Sequence, residues 1–348
     1  MRKLNQAERI NSFSYIRAIA CIAIIVLHTF ASASILFGNQ IGVLTNAWSR
    51  AISNVLMWTV PCFVMTTGAL LLEESRKLTY EKLFKKYILR ILAALVIFTM
   101  VFRGFDMIMD GEQVGIGILL SWIYELFTGT SWSHLWYLYL LIGLYFMMPF
   151  YRKIAQFSEK FDIRYLLIIY VVFVSVLPLT NLINLRSGFY IHVSTIYPFY
   201  LFCGYAIHKG IIKVNQWLAV AAVFFSSCLI VVLTIIRWTD SIDVMEQLWG
   251  YSSIFVVVQA VGIFALFDKI KVKGSGLIHK FLLNIDRCSF GIYLIHMIFI
   301  RWILRYMSFN PYKCNEIINF FLLIIGIFII SYFCTWILKK IPILKNIL

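Results

Sequence analysis

Apolar stretches follow one another along almost the whole chain, at roughly 13–33, 45–71, 84–102, 133–151, 164–182, 194–208, 214–236, 249–267, 284–304 and 316–338. About 20 such residues carry a helix through a hydrocarbon core about 30 Å thick. Within that core a backbone must satisfy its own hydrogen bonds, which leaves helices or closed barrels. The pattern predicts an all-α polytopic membrane protein of about ten transmembrane helices. It forms one membrane-embedded domain over 12–340, with short cytoplasmic tails at 1–11 and 341–348. The longest connection, 103–132, holds the apolar run "VGIGILLSWIYELFTGT". That run is a little short to cross and predicts a re-entrant or interfacial helix. Trp122, Trp132, Trp136, Trp238 and Trp249 stand at predicted span ends, as in an interfacial aromatic belt.

Composition agrees, with 61% hydrophobic residues, 14% charged and a mean hydropathy of +0.86. The net charge of +15 would by itself admit a nucleic-acid partner. The cations, however, are scattered among loops, and with the N-terminus inside most of the 31 Lys and Arg fall on the cytoplasmic side. The expectation is a multi-pass protein of the cytoplasmic membrane with both termini inside, bound to membrane lipid and to no nucleic acid. No cleavable signal peptide is expected, because the first apolar run lacks a small-residue cleavage site. The seven cysteines show no CxxC or metal spacing and read as packing residues. No Walker loop, HExxH or GxSxG occurs, so nucleotide hydrolysis, zinc proteolysis and serine-hydrolase chemistry lack support and no metal site is predicted.

Against this apolar background a few ionisable residues stand out. Arg17 and His28 lie in the first span, "SYIRAIACIAIIVLHTF". Eleven helical steps bring the chain back within roughly 20° of the starting face, about 16 Å further along. One face of the helix therefore carries a fixed cation near its start and an imidazole deep in the membrane, where ionisable groups usually mark a functional site. Snorkelling of Arg17 and a structural hydrogen bond from His28 are the bland alternative. "SWSHLWYLYLLIGLYFMMPFY" opens at the outer surface with His134 beside Tyr137, which suits an acceptor or an aromatic belt. "DRCSFGIYLIHMIFIRWI" carries Tyr293 and His296 on one face at a spacing of three. "FKKYILRIL" puts Lys86 at the cytoplasmic edge and Arg90 about one turn inside. Two partly buried guanidiniums, Arg17 and Arg90, suit a polyanion such as a nucleotide phosphate.

The segments "YIRAIACIAIIVLH", "SHLWYLYLLIGLYFMMPF", "YPFYLFCGYAI" and "CSFGIYLIHMIFI" resemble the bacterial acyltransferase-3 family, integral membrane O-acyltransferases of surface polysaccharides. The resemblance runs from residue 12 to about 340. It implies that His28 is the essential histidine and Arg17 its motif partner. The family's Arg-x-x-Arg at the start of the third span reads Tyr87-x-x-Arg90 here, with Lys86 as the candidate replacement for the first arginine. The implied reaction is O-acetylation of a cell-envelope glycan. Acetyl-CoA or another acyl-CoA would be the donor substrate, with no permanently bound cofactor, and an envelope polysaccharide or lipid-linked glycan the acceptor. His28 would be catalytic, Arg17, Arg90 and Lys86 would hold the donor, and His134, Tyr137, Tyr293 and His296 the acceptor. Export of a polysaccharide intermediate by a transporter, and a sensor-type membrane module, are the competing readings. A transporter predicts broken helices and repeat symmetry at midplane, and neither is read in the sequence. The acyl group, the acceptor and any homo-oligomer stay open.

Overall fold

The computed structural model describes residues 6–348 except 113–114, 184, 186–187, 190, 192–194, 238–241 and 271–275. Trp238 and the first residue of the predicted 194–208 span lie outside the described residues. The described elements are all helical. In chain order they are α1 (Gln6–Phe37), α2 (Val43–Asn54), α3 (Thr59–Leu71), α4 (Tyr80–Asp110), α5 (Ile116–Thr128), α6 (Ser133–Phe157) and α7 (Lys160–Ile183). There follow α8 (Tyr197–His208), α9 (Gln216–Arg237), α10 (Ile242–Trp249), α11 (Ile254–Asp268), α12 (Leu277–Tyr306), α13 (Glu316–Leu338) and α14 (Pro342–Ile347).

Among the described residues nine helical segments are long and apolar enough to cross a membrane, one fewer than the ten expected. The difference is α8. Its 12 residues rise only about 18 Å, and every residue from Phe199 to Ile207 is buried. It is enclosed by protein, so it needs no lipid-facing length. It still returns the chain across the bundle. His208 at its end meets Asp268 at 2.7 Å and the ring of Phe13 at 4.9 Å, whereas Tyr200 near its start bonds the backbone oxygen of Tyr251. Two glycines make this enclosure possible. A Cβ on Gly68 of α3 would lie 1.8 Å from the Leu201 oxygen, and one on Gly204 of α8 would lie 2.1 Å from the Met65 oxygen. The two backbones thus cross in contact, as small residues permit inside membranes.

The start of α1 and the C-terminal residues sit at one end of the bundle. Tyr15 bonds His279 at 2.9 Å, Lys339 Nζ donates to the Arg287 oxygen at 2.6 Å, and Arg90 donates to the backbone oxygens of Ile347 and Leu348 at 2.8 and 2.9 Å. The expected tail at 341–348 therefore docks: α14 packs back, leaving Ile347 and Leu348 buried. The apolar run in the 103–132 connection forms α5, with no buried residue, tied to α4 by Arg103 bridging Glu112 at 2.6 Å and bonding Ser121 at 3.1 Å.

Candidate active site

α1 and α12 run side by side in the same direction and are joined at two levels. Ala18, Ala20 and Ile25 of α1 and Ile285 and Ile292 of α12 are sealed in the core, and small side chains on α1 bring the helices close. At the end that holds the termini, Arg17 grips Asp286 with both prongs, Nε to Oδ1 at 2.6 Å and Nη2 to Oδ2 at 2.8 Å. Deeper in, the rings of His28 and His296 stand 5.3 Å apart. The intervals match: eleven residues from Arg17 to His28 and ten from Asp286 to His296 give rises of about 16 and 15 Å. The spacing read in the first helix is thus answered by a second helix of nearly equal rise.

A cavity of about 640 Å³ opens at the end holding the termini. Its mouth is cationic, with Arg17, Arg76, Arg90, Arg287, Lys339 and Lys345 in the wall and Asp286 as the one acidic side chain among them. Deeper, Thr66, Thr67, Phe63 and Leu141 line it, and Tyr137 and Tyr293 close it. The rings of these tyrosines are 5.6 Å apart, and Tyr293 lies 6.0 Å from His296. The cavity and the histidines therefore lie on opposite sides of a layer of tyrosine.

Behind that layer three histidines meet. His134 is 5.7 Å from His296 and 5.7 Å from Tyr293, whose hydroxyl donates to the His134 backbone oxygen. His134 and His296 are 1% and 0% exposed, while His28 is half-buried. The surface position expected for His134 is corrected here. The 103–132 connection folds over it: Trp132 stacks on Phe102 at 4.5 Å, its Nε1 donates to Asp106 at 2.8 Å, and Arg301 lies over its ring at 4.7 Å. This aromatic lid removes His134 from water, so it cannot be a first surface contact for a sugar. Among the described residues no group of three His, Cys, Asp or Glu converges as a metal site.

The structure gathers seven of the eight expected site residues. Lys86 is the exception. It is exposed and outside the cavity wall, because the wide turn over Leu83–Ile88 rephases the helix and turns Tyr87 and Arg90 inward. The second guanidinium comes from elsewhere. Arg76, in the polar connection "EESRKL", enters the cavity wall and donates to the Tyr87 hydroxyl at 2.9 Å. Asp286 is the other residue that sequence reasoning missed. A lone carboxylate at the head of an apolar span, ten residues before a histidine, is a signal of the same form as Arg17 and His28. Arg76 offered no such signal, being one cation in a charged loop.

A family model described as an acyltransferase domain matches residues 10–339 of the chain. No curated protein and no solved structure matches it.

Proposed function

Because this chain belongs to the acyltransferase-3 family, we propose that it transfers an acyl group, acetyl in the simplest case, from a cytoplasmic acyl-CoA to a hydroxyl of an envelope polysaccharide or lipid-linked glycan. Membership makes it a multi-pass membrane acyltransferase; donor, acceptor and the bacterial cytoplasmic membrane as its site belong to the proposal. The observation that carries it is the one-ended cavity, cationic at its mouth and aimed at a histidine cluster.

Guanidiniums suit phosphate because their planar donors meet its oxygens in pairs. Arg76 and Arg90 hold the phosphates of the donor, and Arg90 exchanges the backbone oxygens of Ile347 and Leu348 for phosphate oxygens as the donor enters. Arg17, fixed by Asp286, stands in the wall beside the donor and keeps α1 in register, while Arg287, Lys339 and Lys345 leave the mouth positive. The uncharged arm of the donor runs inward past Thr66 and Thr67 to the tyrosine layer, which brings the thioester near His28. An imidazole titrates near 6.5 in water and takes a proton from the acceptor hydroxyl as oxygen attacks the thioester carbonyl. The acceptor arrives from the opposite end, where the aromatic lid must part.

The test is mass spectrometry of envelope polysaccharide, teichoic acid and peptidoglycan from cells with the wild-type chain, with His28→Ala and with neither. One polymer should carry an ester mass shift in wild-type cells alone. An unchanged ester content with His28→Ala would defeat the assignment of that residue, and no ester on any polymer would defeat the acceptor class.

A further inference from the structure

The hydrogen bonds of His134 and His296 fix which nitrogen of each ring carries hydrogen. In a neutral imidazole one nitrogen donates and the other holds a lone pair. A carbonyl oxygen only accepts. His296 Nδ1 lies 3.2 Å from the Ile292 oxygen, so its hydrogen is on Nδ1 and Nε2 is the lone-pair atom. His134 Nε2 lies 3.1 Å from the Leu294 oxygen, so there the lone pair is on Nδ1. Both lone-pair atoms are shut off from solvent, and neither is bonded by any described group. Buried acceptors left in this way have lost their water without gaining a partner, so the arrangement calls for a donor. The nearest ring that can supply one is His28, 5.3 Å from His296 between centroids and without a hydrogen bond to any described residue.

Resting on the acyl-transfer reading above, we propose that His296 is the positioning residue for His28, its Nε2 accepting the N–H of one His28 nitrogen so that the other presents its lone pair to the reacting hydroxyl. The general logic is that of a base oriented by a third group. The step balances without any further reactant. The acceptor oxygen attacks the thioester carbon, its O–H bond breaks and the proton passes to the free nitrogen of His28. A C–O bond forms, the C–S bond breaks with its electron pair going to sulfur, and the thiolate takes the proton back from His28. While His28 holds two hydrogens, one stays bonded to His296. A neutral acceptor does this without a second charge inside the span, where an isolated carboxylate would be costly.

The experiment uses the full chain in inverted membrane vesicles from its own cells, with radiolabelled acetyl-CoA as the probe donor. Free CoA thiol and alkali-labile ester are measured together. His296→Asn keeps an amide near the Ile292 oxygen and has nothing at the Nε2 position; His296→Gln restores an acceptor oxygen there. The Asn variant should lose kcat by about 100-fold, the lower end of what a positioned base supplies, with KM for acetyl-CoA unchanged. The Gln variant should recover at least tenfold of that. An Asn variant within threefold of wild type, beside an inactive His28→Ala, overturns the proposal and leaves the acyl-transfer reading standing. An active His28→Ala overturns the proposal and the role of His28 while leaving acyl transfer standing, whereas a wild-type chain that yields neither CoA thiol nor ester overturns the acyl-transfer reading. Should the Asn variant fail to fold, His296→Gln against His296→Leu decides: a Gln variant no faster than Leu overturns the proposal.

Discussion

Replacing Gly68 by alanine tests whether α8 can be a buried, shortened helix only because two backbones touch. The new Cβ would sit 1.8 Å from the Leu201 oxygen and 2.6 Å from the Leu201 carbonyl carbon. Both are backbone atoms, so no rotamer change relieves the clash. Restoring ordinary contact needs the helices to separate by roughly 1.5 Å, which forfeits more than half of each atom–atom attraction of 0.1–0.2 kcal/mol across the crossing. Several tens of such contacts amount to a loss of about 3 kcal/mol, at the upper end for overpacking. The same substitution at Gly143 of α6 or Gly326 of α13 meets nothing within 4 Å. Alanine is there the better helix former, by about 0.5–1 kcal/mol, so those variants should be neutral or slightly stabilised. Unfolding by sodium dodecyl sulfate in mixed micelles, followed by circular dichroism, reads all three. If Gly68→Ala unfolded at the same detergent fraction as Gly326→Ala, the close crossing of α3 and α8 would be wrong.

Three further outcomes follow from the same structure. In a double-mutant cycle, Arg17→Ala should cost about 2 kcal/mol, below the 3–5 of a fully buried pair because the arginine side chain keeps 27% exposure; Arg17→Ala with Asp286→Ala should recover part of that, and strict additivity would mean that the pair is not formed. Acetyl-CoA binding, measured by calorimetry on purified protein, should weaken about tenfold or more for Arg76→Ala and for Arg90→Ala but stay unchanged for Lys86→Ala; an effect confined to Lys86 would reverse the assignment. Cys314 is exposed in the loop after α12, at the end away from the chain termini, so a membrane-impermeant maleimide should label it in intact spheroplasts. Labelling in inverted vesicles alone would place both termini outside.

The spans and the Arg17–His28 face were legible because period and polarity are local properties. The hydrocarbon core leaves a helix few choices, and eleven residues fix an angle whatever the rest of the chain does. What could not be read is what 269 positions of sequence separate. Nothing near Arg17 announces Asp286, and Arg76 enters the cavity only through the path of its loop and its bond to Tyr87. His134 was misplaced for a related reason. Its own segment reads as a surface helix start, and only the fold of the preceding connection, with Trp132 locked to Asp106 and Arg301, puts it inside. Lys86 failed through a single irregular turn at Leu83–Ile88, which changes the facing of every residue after it. The short α8 was read as an ordinary crossing because its residues are as apolar as any span. Its length is explained by the glycine contact with α3 rather than by its hydropathy.

The two-level join of α1 to α12 also limits how this segment can change over evolutionary time. Adding or deleting one residue between Arg17 and His28 would swing the imidazole by about 100° around its helix and out of reach of His296. A gain of four residues would nearly restore the angle but raise the ring by about 6 Å, past its partner. A compensating change in α12 would have to occur at the same moment and at the same depth. Loops such as 103–132 can lengthen or shorten one residue at a time, whereas these two intervals behave as a length standard that tolerates exchange of residues but not a change in their number.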